Sequence, residues 1–225
     1  MVNHLTAGDF QSAIEGLKAA LQASIDPLLI QVSTLFLGFS YLADGQYQEA
    51  LSLSQDVMGF SDKYGSEAVG TPALSYMGYA LAATGDLDRG LGLVKRAEEI
   101  FLKTNRRCCY ATVQLFYAQL YLQIVDGGGP KSFSFMVKNI RSLVKLVPGA
   151  ARKAEEHFNK AIELAGEIGM RSILGQAHLG LGLLHKAKGR TEKARENIST
   201  AIEIFEAIEA GGFLKQAREA LKALG

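Results

Sequence analysis

The sequence predicts an all-α solenoid of antiparallel helix pairs, and three observations carry the prediction. Gly38-Phe39-Ser40-Tyr41 recurs as Gly78-Tyr79-Ala80-Leu81, and again at the same spacing as Ala118-Gln119-Leu120-Tyr121. A fourth copy, Gly182-Leu183-Leu184-His185, follows after one further period plus an insertion. Self-similarity at a period of about 40 residues marks an array of helical hairpins. Composition agrees: the 225 residues are 48% hydrophobic, hold four prolines and lack the alternating runs of half-buried strands. Small residues also recur where helix axes must come close. Gly38, Gly78, Ala118 and Gly182 mark the first helix of each pair, and Ala50, Gly90, Ala154 and Ala194 mark the second.

From the amino terminus, Ala7-Gly8-Asp9-Phe10 followed by Ala13 and Ala20 reads as the turn and second helix of a half repeat within residues 1–25. A half repeat leaves a neighbour-facing side open, so the chain is expected to be a piece of a longer array. Complete repeats are expected over 28–67, 70–105, 108–168 and 172–210, all in one solenoid domain. Their turns are Asp44-Gly45-Gln46-Tyr47, Thr84-Gly85-Asp86-Leu87 and Lys188-Gly189-Arg190-Thr191. A glycine past a helix end accepts the left-handed conformation, and Asp86 or Thr191 is placed to cap the next helix. Residues 57–72 and 97–112 are expected to link the pairs. Gly211-Gly212 interrupts the last helix, and 212–224 form a capping helix suited to a carboxyl end.

The third repeat carries the insertion, residues 126–149. Asp126-Gly127-Gly128-Gly129-Pro130 forms a flexible joint; Phe133, Val137, Ile140, Val144 and Val147 then share one helical face, with Ser134, Lys138, Arg141 and Lys145 opposite. Pro148-Gly149 ends this helix. Its wide apolar stripe needs a cover, and packing against its own array is the favoured use; docking of a partner comes second and contact with an anionic membrane last.

The pattern of small residue, bulky residue, glycine, alanine and alanine resembles the tetratricopeptide repeat family, whose usual unit is about 34 residues. That resemblance covers nearly the whole chain and implies a right-handed superhelix. The usual unit-ending proline is missing, and Thr34, Leu74, Gln114 and His178 replace the aromatic near the start of each first helix. Residues 70–225 further resemble the carboxyl-terminal repeat region of bacterial multidomain signalling proteins with a class III adenylate or guanylate cyclase domain. The matching runs are Gly128-Gly129-Pro130, the inserted helix, residues 148–165 from Pro148 to Ala165, Gly180–Gly189, Ala194–Ile198, Ala201–Phe205 and Leu214–Ala217. The final third is shared with repeat tails of large ATPase-type transcription regulators.

The repeat family's concave groove is lined by the first helices. Carried over residue by residue, its positions are Leu35, Phe39, Leu42, Ser75, Tyr79 and Ala82, then Leu115, Gln119, Gln123, Gln176, Leu183 and Lys186. These are mostly apolar or glutamine rather than the lysine, arginine and asparagine that hold a terminal carboxylate in chaperone-binding relatives. An apolar peptide, a helix or the insertion is the expected occupant. The partner is thus a protein, a peptide or a neighbouring domain of the same parent chain, with self-association left open.

Other chemistries find little support. Formal net charge is +1, too small for a general nucleic-acid binder, which is usually more basic overall and interleaves aromatics for stacking. Residues 1–4 lack a secretion leader's basic start and apolar run, so a cytoplasmic location is expected. Gly127-Gly128-Gly129-Pro130-Lys131-Ser132 lacks the glycine that must precede a phosphate loop's lysine. Cys108 and Cys109 could form an activated pair beside Arg106 and Arg107, but one thiol packed in the seam is the favoured reading. His178 and His185 lack a third ligand at metal spacing, and His157, beside Glu155 and Glu156, reads as surface. No catalytic residue, metal or cofactor is expected, and any cyclase activity would reside outside this chain.

Overall fold

The computed structural model describes residues 8–127 and 133–225, apart from the side chains of residues 133–138 and 141. Residues 1–7 of the expected half repeat and residues 128–130 of the expected joint, with 131 and 132 after them, lie outside the described residues. The chain is all-α, with helices packed as consecutive antiparallel pairs in a tetratricopeptide-like array. Its backbone contacts group into two compact units, Asp9–Asn105 and Arg106–Gly225.

In the first unit, α1 (Phe10–Ala23) is followed by α2 (Pro27–Ala43), α3 (Tyr47–Tyr64), α4 (Glu67–Thr84) and α5 (Leu87–Lys103). Side-chain caps open the first two. Asp9 Oδ1 accepts from the Ser12 amide, and Asp26 Oδ1 accepts from the Leu28 and Leu29 amides at 2.8 and 3.0 Å, with Pro27 supplying a helix-ready φ. The turns close as expected: Gly45 and Gly85 are left-handed, and the Gln46 and Asp86 amides donate 2.8 Å bonds back to the Tyr41 and Leu81 carbonyls. Asp86 makes no side-chain capping bond, and Thr191 in the second unit lies inside its helix, so neither expected cap forms.

Each helix of this unit packs on the next, and α2 also meets α4. Ile14, Leu17 and Leu37 gather Leu21, Tyr41 and Leu53; Val57, Val69 and Ala73 gather Val32, Leu35, Met58 and Phe60. Residues 57–72 and 97–112 are therefore not linkers. Most of each segment is helix, and Val57, Val69, Ala97 and Ala111 are core; the connections shrink to two or three residues. The extra length of the period goes into helices of 17 to 20 residues. The tight contact sits at Gly78 and Gly90, where an added Cβ would fall 2.8 Å from the Gly90 carbonyl or 2.5 Å from the Ala82 amide. At Gly38 the corresponding approach is an ordinary 3.7 Å.

The second unit runs α6 (Arg107–Asp126), α7 (Phe133–Leu146), a 3-10 turn (Val147–Gly149), α8 (Ala150–Ile168), α9 (Arg171–Ala187), α10 (Thr191–Ala207) and α11 (Gly211–Lys222). Despite the insertion, α6 pairs with α8, which packs on α9; α9 pairs with α10, and α11 closes on α10. Fully buried rings stand against helical glycines: Phe158 occupies the space of a Gly180 Cβ and Phe205 that of Gly175. Phe205 also stacks on Phe213 of α11, with ring centroids 5.2 Å apart.

The inserted helix is present where expected, but the described residues of its apolar stripe are not covered. Ile140, Val144 and Val147 are exposed, whereas Asn139 and Ser142 are buried. The apolar stripe is not packed on the array at any of its three described positions, which corrects the expectation of self-packing. Phe133 and Val137, the rest of that stripe, lie outside the described side chains.

Candidate protein-binding surface

Each unit offers a candidate surface on its own first helices, and the side chains there divide by burial. In the first unit Leu42, Ser75, Tyr79 and Ala82 are buried. Ser75 donates to the Pro72 carbonyl at 2.7 Å and Tyr79 packs on the Tyr47 ring at 6.3 Å, so both serve the interior. Leu35 and Phe39 remain half-buried, Leu35 against the Val57 cluster and Phe39 with its ring 5.5 Å from Tyr76. Phe39 is thus the aromatic of this set that keeps an accessible side.

In the second unit Leu115 is buried, whereas Gln119, Gln123, Gln176 and Leu183 are half-buried and Lys186 is exposed. The accessible positions on α6 and α9 are therefore amide, aliphatic and ammonium groups. Such a set offers hydrogen bonds and apolar contact without a fixed charge pattern, as suits a peptide or helix.

Beside these positions the structure assembles a cluster that helical spacing alone does not reveal. His157 on α8 stacks on Tyr117 and Tyr121 of α6 at 4.8 and 5.7 Å, and its Nδ1 donates to Gln114 Oε1 at 2.7 Å. Lys153 Nζ stands 5.3 Å from the centre of the Tyr121 ring. Burial lowers the His157 pKa; Glu156 opposes that and Lys153 reinforces it. His157 is therefore a packed residue, not the surface group its acidic neighbours suggest. The sequence signal lies in α6, where Gln114, Tyr117 and Tyr121 fall three and four apart on one face.

The other titratable candidates occupy structural positions. His178 Nδ1 donates to Asn197 Oδ1 at 3.1 Å. His185 is buried at the bulky position, its Nδ1 without a hydrogen-bond partner, and burial lowers its pKa while Glu155 opposes this. Cys108 is exposed and Cys109 half-buried, with sulfurs 3.8 Å apart. Burial and the neighbouring thiol push Cys109 up to about 12, which disfavours a reactive thiolate there. Among the described residues, no three His, Cys, Asp or Glu side chains are grouped to hold a metal, and no helix is long and apolar enough to cross a membrane.

The α9–α10 hairpin is closely packed, with an added Gly182 Cβ falling 2.6 Å from Ile198 and 3.1 Å from the Ala194 carbonyl. Residues 175–207 match the tetratricopeptide repeat family. The matched span includes the Gly175, Gly182, Ala194 and Phe205 contacts described above. Over its whole length the chain is similar in structure to BtubC (BKLC) from P. vanneervenii, with a TM-score of 0.60, 14% identity and 83% of that chain covered; at this identity the likeness is one of fold. It is also similar to a tetratricopeptide repeat protein from Parabacteroides merdae ATCC 43184, with a TM-score of 0.37 and 17% identity over 99% of this chain and 95% of that one. No curated protein matches the chain.

Proposed function

We propose that the chain is a non-catalytic protein-interaction and regulatory scaffold, the repeat region of a multidomain signalling protein of the cyclase-bearing kind that residues 70–225 resemble. Support comes from one observation above the rest: a tetratricopeptide repeat inside an array of helix pairs whose first helices leave Phe39, Gln119, Gln123, Gln176, Leu183 and Lys186 open to contact. Stacked repeats present such positions to a peptide or helix and change little themselves on binding. A partner held there would pass its presence to a catalytic domain elsewhere in the same cytoplasmic protein. The chain itself carries no reaction.

The test is the size and peptide content of the native polypeptide in source-cell lysate, read by immunoblot and mass spectrometry. A chain several times heavier than 24.3 kDa and yielding cyclase peptides is expected. ATPase-regulator peptides without a cyclase would move the parent to the transcription-regulator class, and a native chain of this size would make it a free-standing adaptor. Photo-crosslinkers at Gln123 and Gln176 should then capture the same partner; capture only from the opposite helix faces would displace the surface.

A further inference from the structure

Charge divides along this chain in a way its net +1 conceals. Residues 19–62 contain five acids, Asp26, Asp44, Glu49, Asp56 and Asp62, and no lysine or arginine. Residues 127–154 contain six bases, Lys131, Lys138, Arg141, Lys145, Arg152 and Lys153, and no acid. The whole first unit, 9–105, holds twelve acids against six bases, and the second, 106–225, eleven against eighteen.

Each single-sign segment also exposes an apolar trio. In the acidic one, Ile25, Leu28 and Leu29 stand at the entry to α2, with Ile25 95% exposed. In the basic one, Ile140, Val144 and Val147 stand on the inserted helix and the turn after it, with Val144 66% exposed and Lys145 exposed beside it. Helix entries and amphipathic helices ordinarily turn such residues inward, because each exposed aliphatic side chain forgoes its transfer from water. Two apolar patches set in fields of opposite sign satisfy both conditions for a specific contact: attraction at a distance and dry packing at the centre.

We infer that the occupant of the inserted helix's outward face is a second copy of this chain, which presents its Ile25-Leu28-Leu29 surface. Neither surface includes the groove positions of the first helices, so this association goes beyond the partner-binding reading and can fail without it. The contact joins two different patches, so reciprocal pairing closes a dimer and one-way pairing extends to further copies. A membrane cover is less suited, because anionic headgroups do not attract the acidic apolar trio and leave it without a partner.

The experiment is sedimentation equilibrium of the full chain from low micromolar to several hundred micromolar, in 50 mM and 500 mM salt. Mass should rise with concentration above 24.3 kDa at low salt. The dissociation constant should grow about tenfold or more at high salt, since exposed charges are screened beyond a few ångströms there. Val144→Glu and Leu28→Lys lie at exposed positions and should leave helicity by circular dichroism unchanged, yet each alone should remain at 24.3 kDa. Mixed in equal amounts, they should pair, because each retains the surface the other lacks. Wild-type chain monomeric throughout, or Val144→Glu assembling as wild type does, overturns the inference. A monomer that co-sediments with mixed phosphatidylserine and phosphatidylcholine vesicles, and loses that with Val144→Glu, also overturns it and gives the face to lipid.

Discussion

The α9–α10 and α6–α8 pairs belong to the same unit and meet the same requirement by different means. In α9–α10 the contact is made by absent side chains: Gly175 and Gly182 let Phe205 and Ile198 reach the backbone of α9. In α6–α8 the chain leaves for more than 20 residues between its two helices and still closes them into a pair. There the seam is partly polar, with His157 stacked on Tyr117 and Tyr121 and fixed by Gln114. A hydrogen-bonded, stacked contact has one good geometry, whereas apolar packing tolerates sliding. An interrupted hairpin thus gains register from specific polar partners, while a hairpin closed by a short turn can rely on shape.

Phe205→Ala should separate the two pairs most sharply. Phe205 is fully buried against Gly175 and Phe213, and glycine offers no side chain to refill the space. A loss of about 3–5 kcal/mol is expected, read as a lower urea midpoint. Hydrogen exchange should locate the loosening in α9, α10 and α11. Equal loss of protection in α6 and α8 would show that the pairs unfold as one and that their difference is only cosmetic.

Much of this architecture is legible in the sequence, for reasons that particular residues make plain. Gly45, Gly85 and Gly189 mark turns and are left-handed, because a helix end followed by glycine is a local signal. Gly78 and Gly182 mark close contacts and are sterically required there. The inserted helix is also legible as a helix. Its orientation is not, since periodicity says that Ile140, Val144 and Val147 share a face but not whether anything covers it. Segments 57–72 and 97–112 pass for linkers because they lack the repeat's signature, although Val57 and Val69 carry the core straight through the first of them. Of the groove positions, Leu42, Ser75, Tyr79, Ala82 and Leu115 are buried: family position fixes which helix a residue is on, while neighbouring side chains decide its exposure.

The polar seam of α6–α8 should show itself in acid. His157 is held neutral by burial, its folded pKa below the ordinary value of 6.5, so the unfolded chain binds the proton more readily. The stability it contributes is complete above that ordinary value and drains away as pH falls from there to the folded value. The expected loss is small, because the ring keeps part of its contact with water, and urea midpoints between pH 7.5 and 5.5 would measure it. His185 has the same sign, so the wild-type slope contains both residues. His157→Gln should flatten part of that slope and lower the midpoint at pH 7.5; an unchanged slope would remove His157 from the acid response and leave stacking as its role.

Val144→Ser carries the smallest expected effect and bears on what the insertion is for. In a helix packed on its own array, removing a valine from the apolar stripe would cost about 1–3 kcal/mol. Here Val144 is exposed, so dilute protein should change by no more than about 0.5 kcal/mol, and the small propensity difference between valine and serine adds little. Measured at low micromolar concentration, an unchanged urea midpoint leaves the stripe free for contacts made outside the fold. A drop of about 2 kcal/mol, the size expected of a buried aliphatic side chain, would mean that the helix turns its stripe inward in solution. The α6–α8 pair would then depend on its insertion for core as well as for length, and its contrast with α9–α10 would become one of composition.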